Sequence, residues 1–354
     1  KKNEIMNIPS IDKREVINAG NQIYTSKYTG NFIHKTSGST GDPLVMHLSG
    51  MAEVFRKAGV MRFHDWWDIK PNDKSILIWG FKSTAQNTNS LISKIKKYLR
   101  NRYDINVFDL NNDSIKSYYQ NIEKFKPVYI RGYKSGILQF AELLDKNNLK
   151  FKKSCFKVAI CTTEILLETE RAYIQRILQC PVANEYGAAE AGLFAYECKS
   201  GGMHLFEEST LICKQENKIL TTELYNDSMP LVNYDIGDNI ILSDNKCECG
   251  RTLQLIDEIK GRIDDYVLRP DNSKISHYLF YVIMKEIDDV GFKGSVLKYK
   301  VIQEDNLFTL YIIPNNNFDR NVEKYIIKRM HQEIGEEISI VFKMVDEIPR
   351  EKSG

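Results

Sequence analysis

No stretch of this 354-residue chain is apolar for long enough to cross a membrane; the longest runs, such as Tyr278 to Met284, fall far short of the ~20 residues a spanning helix needs. Charge of one sign is scarce too. Lys plus Arg number 49 against 47 Asp plus Glu, a net charge of +2, and no long basic run argues for nucleic acid as the main partner. A disulfide framework is missing. Seven cysteines, an odd number without framework spacing outside one cluster, point to a reducing cytoplasm. There is no internal repeat, no low-complexity segment, and no Gly-Lys-Ser/Thr ending of the kind a Walker phosphate loop requires. His34, His47, His64, His277 and His331 form no triad with a Ser or Asp and read as surface or satisfied residues. No signal peptide is visible; the chain opens at Lys1 rather than Met, and both ends read as trimmed.

What is present is ordinary enzyme composition, 42% hydrophobic and 27% charged, at a length that predicts a large domain plus a smaller one. Periodicity predicts helices over Met51 to Asp65, Asn112 to Phe125, Ser135 to Lys146 and Leu167 to Leu178. Between them lie short apolar runs at Ser75 to Trp79, Val128 to Arg131 and Lys157 to Cys161 that read as buried strands. Strands alternating with helices mean an α/β domain with a mixed, largely parallel sheet, and ligand loops at strand ends. After Asp265 the pattern becomes a small α+β unit. It comprises a helix over Ser276 to Ile287, a hairpin of Val296 to Glu304 and Asn306 to Pro314 around Asp305, a helix over Arg320 to Ile334, and a strand over Ile338 to Val345. The expected division is 1–262 and 263–354, with a hinge at about 261–265. The basic patch from Lys94 to Arg102 reads as the solvated face of a helix, with an anionic carrier such as CoA as the minority reading.

The densest chemistry lies in Thr36-Ser37-Gly38-Ser39-Thr40-Gly41-Asp42-Pro43. Two glycines that tolerate positive φ can turn successive N–H groups into one concavity, and four hydroxyls add donors for phosphate. A plain polar turn is the alternative. Downstream follow Asn184-Glu185-Tyr186-Gly187-Ala188-Ala189-Glu190, then Tyr234 to Asp238, then Gly261-Arg262-Ile263-Asp264-Asp265, and finally Pro349 to Gly354. Each is weak alone. In this order they resemble the adenylate-forming superfamily, most closely its phenylacetate-CoA ligase-like branch, which includes proteins of capsule biosynthesis; the resemblance runs from about Pro9 to the last residue.

The resemblance implies roles. Thr36 to Gly41 would hold the ATP β- and γ-phosphates, with Asp42 where a Lys is commoner. Thr163-Glu164 would meet the nucleotide at a turn where the family has a Gly. Glu185, Tyr186, Gly187 and Ala188 would border adenine, and Asp238 and Arg262 would bind the ribose. Glu190 would hold Mg²⁺, and Glu190 and Thr40 would be the catalytic groups. Asp264 or Asp265 would form the hinge. Trp79, Phe81, Arg131, Gly132, Tyr133 and Ala188 would line an acyl pocket suited to a flat or modest acid; a simple core role for Trp79 and Phe81 is the alternative. The family's catalytic Lys would fall directly after Gly354, and Lys352 comes too early to be it.

Cys198 and His204, with Cys247 and Cys249 some forty residues on, make a Cys₃His set of soft ligands. Two short chelating loops are an ordinary way to supply tetrahedral Zn²⁺, and a closed site of this type staples loops. The alternatives are free thiols or a disulfide, for which Cys247 and Cys249 are too close together. Cys213 is the reserve ligand; Cys155, Cys161 and Cys180 read as core. The expected function is ATP- and Mg²⁺-dependent activation of a carboxylic acid to an acyl-adenylate, releasing pyrophosphate, with transfer to CoA. The alternatives are transfer to an amine, such as an amino sugar in surface polysaccharide synthesis, and a non-catalytic nucleotide-binding relative. The expected partners are small molecules only, with a homodimer as one arrangement.

Overall fold

The computed structural model describes residues 5, 7–25, 32–35, 44–80, 101–151, 155–215, 218–262, 266–276, 278–292 and 294–349. In chain order the first strands are β1 (Phe32–Lys35), β2 (Val45–Leu48), β3 (Ser75–Trp79), β4 (Arg102–Asn106), β5 (Tyr129–Tyr133), β6 (Val158–Thr162) and β7 (Val182–Ala188). Next come β8 (Gly192–Glu197), β9 (Met203–Leu205), β10 (Thr210–Gln215), β11 (Lys218–Glu223), β12 (Tyr234–Asp235), β13 (Asp238–Ser243) and β14 (Leu255–Arg262). The last are β15 (Tyr266–Leu268), β16 (Lys274–Ser276), β17 (Val296–Glu304), β18 (Leu307–Pro314) and β19 (Ser339–Met344). The chain divides into two compact units. One runs to Ile236 and includes Ile240–Ile259; the other takes Gly237–Asn239 and the chain from Lys260.

A nine-stranded sheet in the order β13-β14-β9-β8-β7-β6-β5-β3-β4 organises the first unit. From β4 to β7 it is parallel, and β8, β9 and β14 continue it antiparallel. The parallel part is built by helices Asn112–Phe125, Lys134–Lys146 and Glu168–Leu178, each returning the chain for the next strand. Asn112–Phe125 shows why they form. Asn111 caps its first N–H groups, accepting from the amides of Asp113 and Ser114 at 3.0 Å, and Ile115 and Ile122 bury one stripe. Lys126, at φ +54°, ends it.

These helices cover one face of the sheet, where Ile76, Ile78, Ile105, Ile130 and Val182 meet Ile115, Ile122, Phe140, Leu144 and Ile174. Helix Gly50–Trp66 covers the other, setting Phe63 and the following Trp67 against Val158, Ile160, Ala183 and Tyr196. All five residues of β6 are therefore buried. Each buried Ile contributes about 1.5–3 kcal/mol, which makes this double cover the main source of stability.

Observed boundaries lie within two residues of those predicted for these elements, and Asn112–Phe125 and Ser75–Trp79 coincide with them. The Lys94 to Arg102 reading is corrected in part: residues 94–100 lie outside the described residues, whereas Arg102 opens β4 and pairs with Asp104 at 2.7 Å. Its alternation had been masked by the charges before it.

The second unit pairs β17 with β18 antiparallel around Asp305, at φ +50°, and β18 with β19 parallel. Phe308, Leu310 and Ile312 alternate inward from β18 onto helices Tyr278–Ile287 and Arg320–Ile334. The strand β16 ends at Ser276, so the first of these helices starts two residues later than predicted.

His64, on helix Gly50–Trp66, sits edge-on to Tyr129 at 5.0 Å, and its Nε2 is buried with no hydrogen-bond partner among the described residues. Burial first, and the Arg131 charge second, hold its pKa down at about 4 against 6.5 ordinarily. The unfolded chain therefore binds the extra proton between pH 6.5 and 4, so this contribution to stability is whole above 6.5 and is lost as pH falls through that window. Between pH 7.5 and 5, wild type should lose about 2 kcal/mol more than His64→Gln. Urea unfolding followed by fluorescence reports it, because Trp66, Trp67 and Trp79 all lie in the first unit. Equal pH dependence in the two proteins would refute the assignment.

Candidate active site and Cys/His cluster

The Ser/Thr/Gly segment from Thr36 to Pro43 lies outside the described residues, as does Phe81. Its flanks are described: β1 and β2 pair antiparallel from Phe32 opposite Leu48 to Lys35 opposite Val45, so the segment departs from and returns to adjacent positions.

At the end of β6, Thr163 holds φ +70°, a conformation that suits Gly and strains a β-branched residue. Its Oγ1 donates to the Thr162 carbonyl at 2.6 Å. Glu164 next to it accepts from the Ser135 hydroxyl at 2.7 Å and the Ser135 amide at 3.2 Å, at the start of helix Lys134–Lys146. Thr163-Glu164 thus forms a fixed strand-end turn.

Alternation along β7 separates two of the predicted nucleotide residues. Tyr186 packs edge-on to Phe194 at 4.9 Å, within the core that also holds Ala188. Glu185 projects to the opposite face. Its side chain is fully buried, and Oε1 accepts from Nε of Arg131 at 2.8 Å and from Nη2 of the same residue. Arg131 lies 6.0 Å from the Trp79 ring, which stacks at a tilt on Tyr133 at 4.1 Å. The ends of β3 and β5 therefore gather Trp79, Arg131 and Tyr133, whereas Ala188 sits with Tyr186 and Gly132 lies tight against the backbone of Ile78.

After β7 the chain turns through Ala189, Glu190 and Ala191 into β8. Glu190 is buried, and its Oε1 accepts from the Tyr234 hydroxyl at 3.5 Å. Tyr234 is positioned by β12, which pairs it with Thr221 of β11. Asp238 opens β13 in the second unit, and Arg262 closes β14, its neighbour in the sheet. Residues 263–265 lie outside the described residues. Sequence reasoning missed Arg56, whose guanidinium reaches the Glu190 turn; its partner Glu223 is 167 residues away, a separation that leaves no local signal.

The four soft ligands converge. The donor atoms of Cys198, His204, Cys247 and Cys249 all lie within 4.8 Å of one another, with Cys198 and Cys247 sulfurs 3.6 Å apart and Cys249 Sγ 3.3 Å from His204 Nε2. Edges of a tetrahedral zinc site are about 3.8 Å between sulfurs and about 3.5 Å from sulfur to nitrogen, so the set fits that ion. Cys198 ends beside the β8–β9 turn and the other two cysteines flank a turn before β14. Backbone bonds close both turns: Cys198 N to Gly202 O at 2.9 Å, and Gly250 N to Cys247 O at 3.1 Å. A Cβ on Gly202 would stand 2.6 Å from Cys247 Sγ, so only glycine leaves the sulfur its place.

Burial pushes the Cys198 thiol up to about 11. At Cys249 burial acts in the same direction but is outweighed by the Arg251 amide and side chain, which hold it at about 7. His204 is lowered, by burial first. Its ring is edge-on to Trp66 at 5.6 Å, and the Arg251 guanidinium lies over the Trp66 ring at 4.3 Å. Cys213 is buried on β10 apart from the cluster, and Cys161 and Cys180 are core thiols raised by burial.

Residues 267–354 match the model of the CapK C-terminal domain. Protein CapK of Staphylococcus aureus is 24% identical, over 99% of this chain and 78% of its own. Among solved structures, 2-hydroxyisobutyryl-CoA ligase in a postadenylation state superposes with a TM-score of 0.72 at 15% identity, covering 98% of this chain and 78% of that one. The amide bond synthetase McbA from Marinactinospora thermotolerans gives 0.57 at 12%, covering 91% and 66%. The chain is therefore similar to Protein CapK along almost its whole length, and its fold is that of these solved CoA ligase and amide bond synthetase structures.

Proposed function

We propose that the chain uses ATP and Mg²⁺ to convert a carboxylic acid into its acyl-adenylate and then passes the acyl group to CoA. The observation that carries this reading is the Glu190 turn. A buried carboxylate is held by Tyr234 three residues after Tyr186-Gly187, within a fold shared with a protein named as a CoA ligase in complex with an acyl-AMP.

In the first half-reaction an oxygen of the substrate carboxylate bonds to the α-phosphorus as the α–β bridging P–O bond breaks, and pyrophosphate leaves with the electron pair. Negative charge grows on the phosphoryl oxygens, and preorganised groups must stabilise it. Mg²⁺ when bound supplies part of that stabilisation, with Glu190 as its protein ligand. Thr36 to Gly41 would cradle the terminal phosphates, with Thr40 as a catalytic group. Tyr186 offers adenine an apolar face, and Asp238, an acceptor only, suits the two ribose hydroxyls with Arg262 beside them. Trp79, Arg131 and Tyr133 form the acid's side of the site. The hinge at about 261–265 lets a two-step enzyme exchange groups between half-reactions. In the second, the CoA thiolate attacks the acyl carbon and AMP departs.

An amine acceptor is the second reading, favoured by the likeness to a protein named as an amide bond synthetase and by kinship with CapK. The Cys/His cluster takes one structural Zn²⁺, which cross-links the β8–β9 turn to the loop before β14.

Pyrophosphate release across a panel of acids, with and without CoA, tests the reaction; stimulation of turnover by CoA supports the first reading, and by amines the second. No release with any acid would end both. Asp238→Ala should raise the KM for ATP about 10-fold or more, whereas Glu190→Gln should lower kcat about 100-fold with a smaller change in KM. Unchanged ATP affinity in Asp238→Ala contradicts the ribose assignment. Elemental analysis should find about one zinc per chain, absent in Cys247→Ser, whose melting temperature falls by roughly 5 °C or more. A zinc-free wild type would refute the metal.

A further inference from the structure

Helix Gly50–Trp66 sends one side chain across to the turn that carries Glu190. Arg56 donates from Nε to Glu223 Oε1 at 2.6 Å and from Nη2 to Oε2 at 3.0 Å. Its remaining donors reach two main-chain acceptors, the carbonyl of Ala189 at 3.3 Å and that of Glu190 itself at 3.2 Å. The pair is sequestered, with the side chains 14% and 7% exposed. Gly192, at φ +74°, ends the turn, and a Cβ there would stand 2.9 Å from Arg56 Nε. The space beside the turn is thus kept for the guanidinium.

The segment needs an outside support. From Gly187 to Gly192 it reads Gly-Ala-Ala-Glu-Ala-Gly, with no large apolar side chain to pack it; the β7–β8 pairing of Ala188 with Gly192 and a bond from Ala191 N to Ala188 O at 3.2 Å close it. Glu223 belongs to a rigid neighbour. It ends β11, and the following residues are riveted to the same helix by the stacked Phe55 and Tyr225 rings and by Ser49, whose hydroxyl donates to the Tyr225 carbonyl at 2.8 Å.

We propose that Arg56 is a positioning residue for Glu190. Glu223 orients the guanidinium plane, and the free edge of that plane fixes the Ala189 and Glu190 carbonyls and hence where the Glu190 carboxylate points. The guanidinium is suited to this because its donors are coplanar and divergent; an ammonium, with three donors on one atom, cannot make the two-point contact to Glu223 and reach both carbonyls as well. The inference rests on the reading of Glu190 as the Mg²⁺-holding group.

The test compares wild type, Arg56→Lys, the double variant Arg56→Gln/Glu223→Gln and Glu190→Gln. The double variant removes both charges, so neither is stranded in the interior. Amide hydrogen exchange of the turn, measured without ligand, should accelerate in Arg56→Lys and in the double variant while the rest of the first unit keeps its protection. With an acid that wild type activates, both should release pyrophosphate about 10- to 100-fold more slowly and need more Mg²⁺ for half-saturation, with the KM for ATP within about twofold. Wild-type turn protection, or a wild-type rate and Mg²⁺ requirement in the double variant, overturns the proposal. A turn that loosens while Glu190→Gln still adenylates at the wild-type rate overturns instead the role given to Glu190, with the clamp itself demonstrated.

Discussion

The double cover of the parallel sheet is the constraint on which the rest depends. Helices pack on both faces, so β6 is buried throughout, β5 and β7 are covered in part, and room for chemistry is left at strand ends and the turns after them. Thr163-Glu164 follows β6, Glu190 follows β7, and Trp79 and Tyr133 close β3 and β5. The same burial dictates what happens to polar groups between the sheet and the helix that covers it. Glu185 is tolerated because Arg131 neutralises it, and His64 is tolerated because it stays uncharged.

Beyond β7 the sheet changes character. β9 has three residues and the β8–β9 and pre-β14 turns carry little apolar surface, so hydrophobic burial alone holds this extension less firmly than the parallel part. The Cys/His cluster falls there. Its four donors come from two stretches of chain separated by more than forty residues, and Trp66, at the end of the helix that covers the sheet, packs against His204 and Arg251. A metal cross-link at that place would substitute for missing core.

Two kinds of support therefore surround the reactive turns. Covalently short ones, such as the Ser135 bonds to Glu164, act within neighbouring elements; long-range ones, such as Arg56 with Glu223 and Tyr234 with Glu190, tie together elements far apart in the chain. In the proposed reaction the nucleotide-facing residues and the choice of acyl acceptor would be separable for the same reason: the former would be set by turns anchored in one sheet, whereas an acceptor would be admitted only after the adenylate had formed.

The alternation of apolar runs with 3.6-residue stripes was sufficient to place most helices and parallel strands within two residues, because those elements bury a whole face and so carry their period in composition. The ordered motifs marked the turns, and the Cys/His spacing marked four side chains that the fold brings together. Local pattern was silent on β4, where charges hide the alternation, and on the short antiparallel strands, which bury too few residues to register. It also placed Glu185 beside Tyr186, whereas strand geometry sends adjacent side chains to opposite faces. Only tertiary structure decided that Glu185 meets Arg131 and that Arg56 meets the Glu190 turn, since a contact between residues 54 or 134 positions apart is specified by packing of the whole sheet and by no local period.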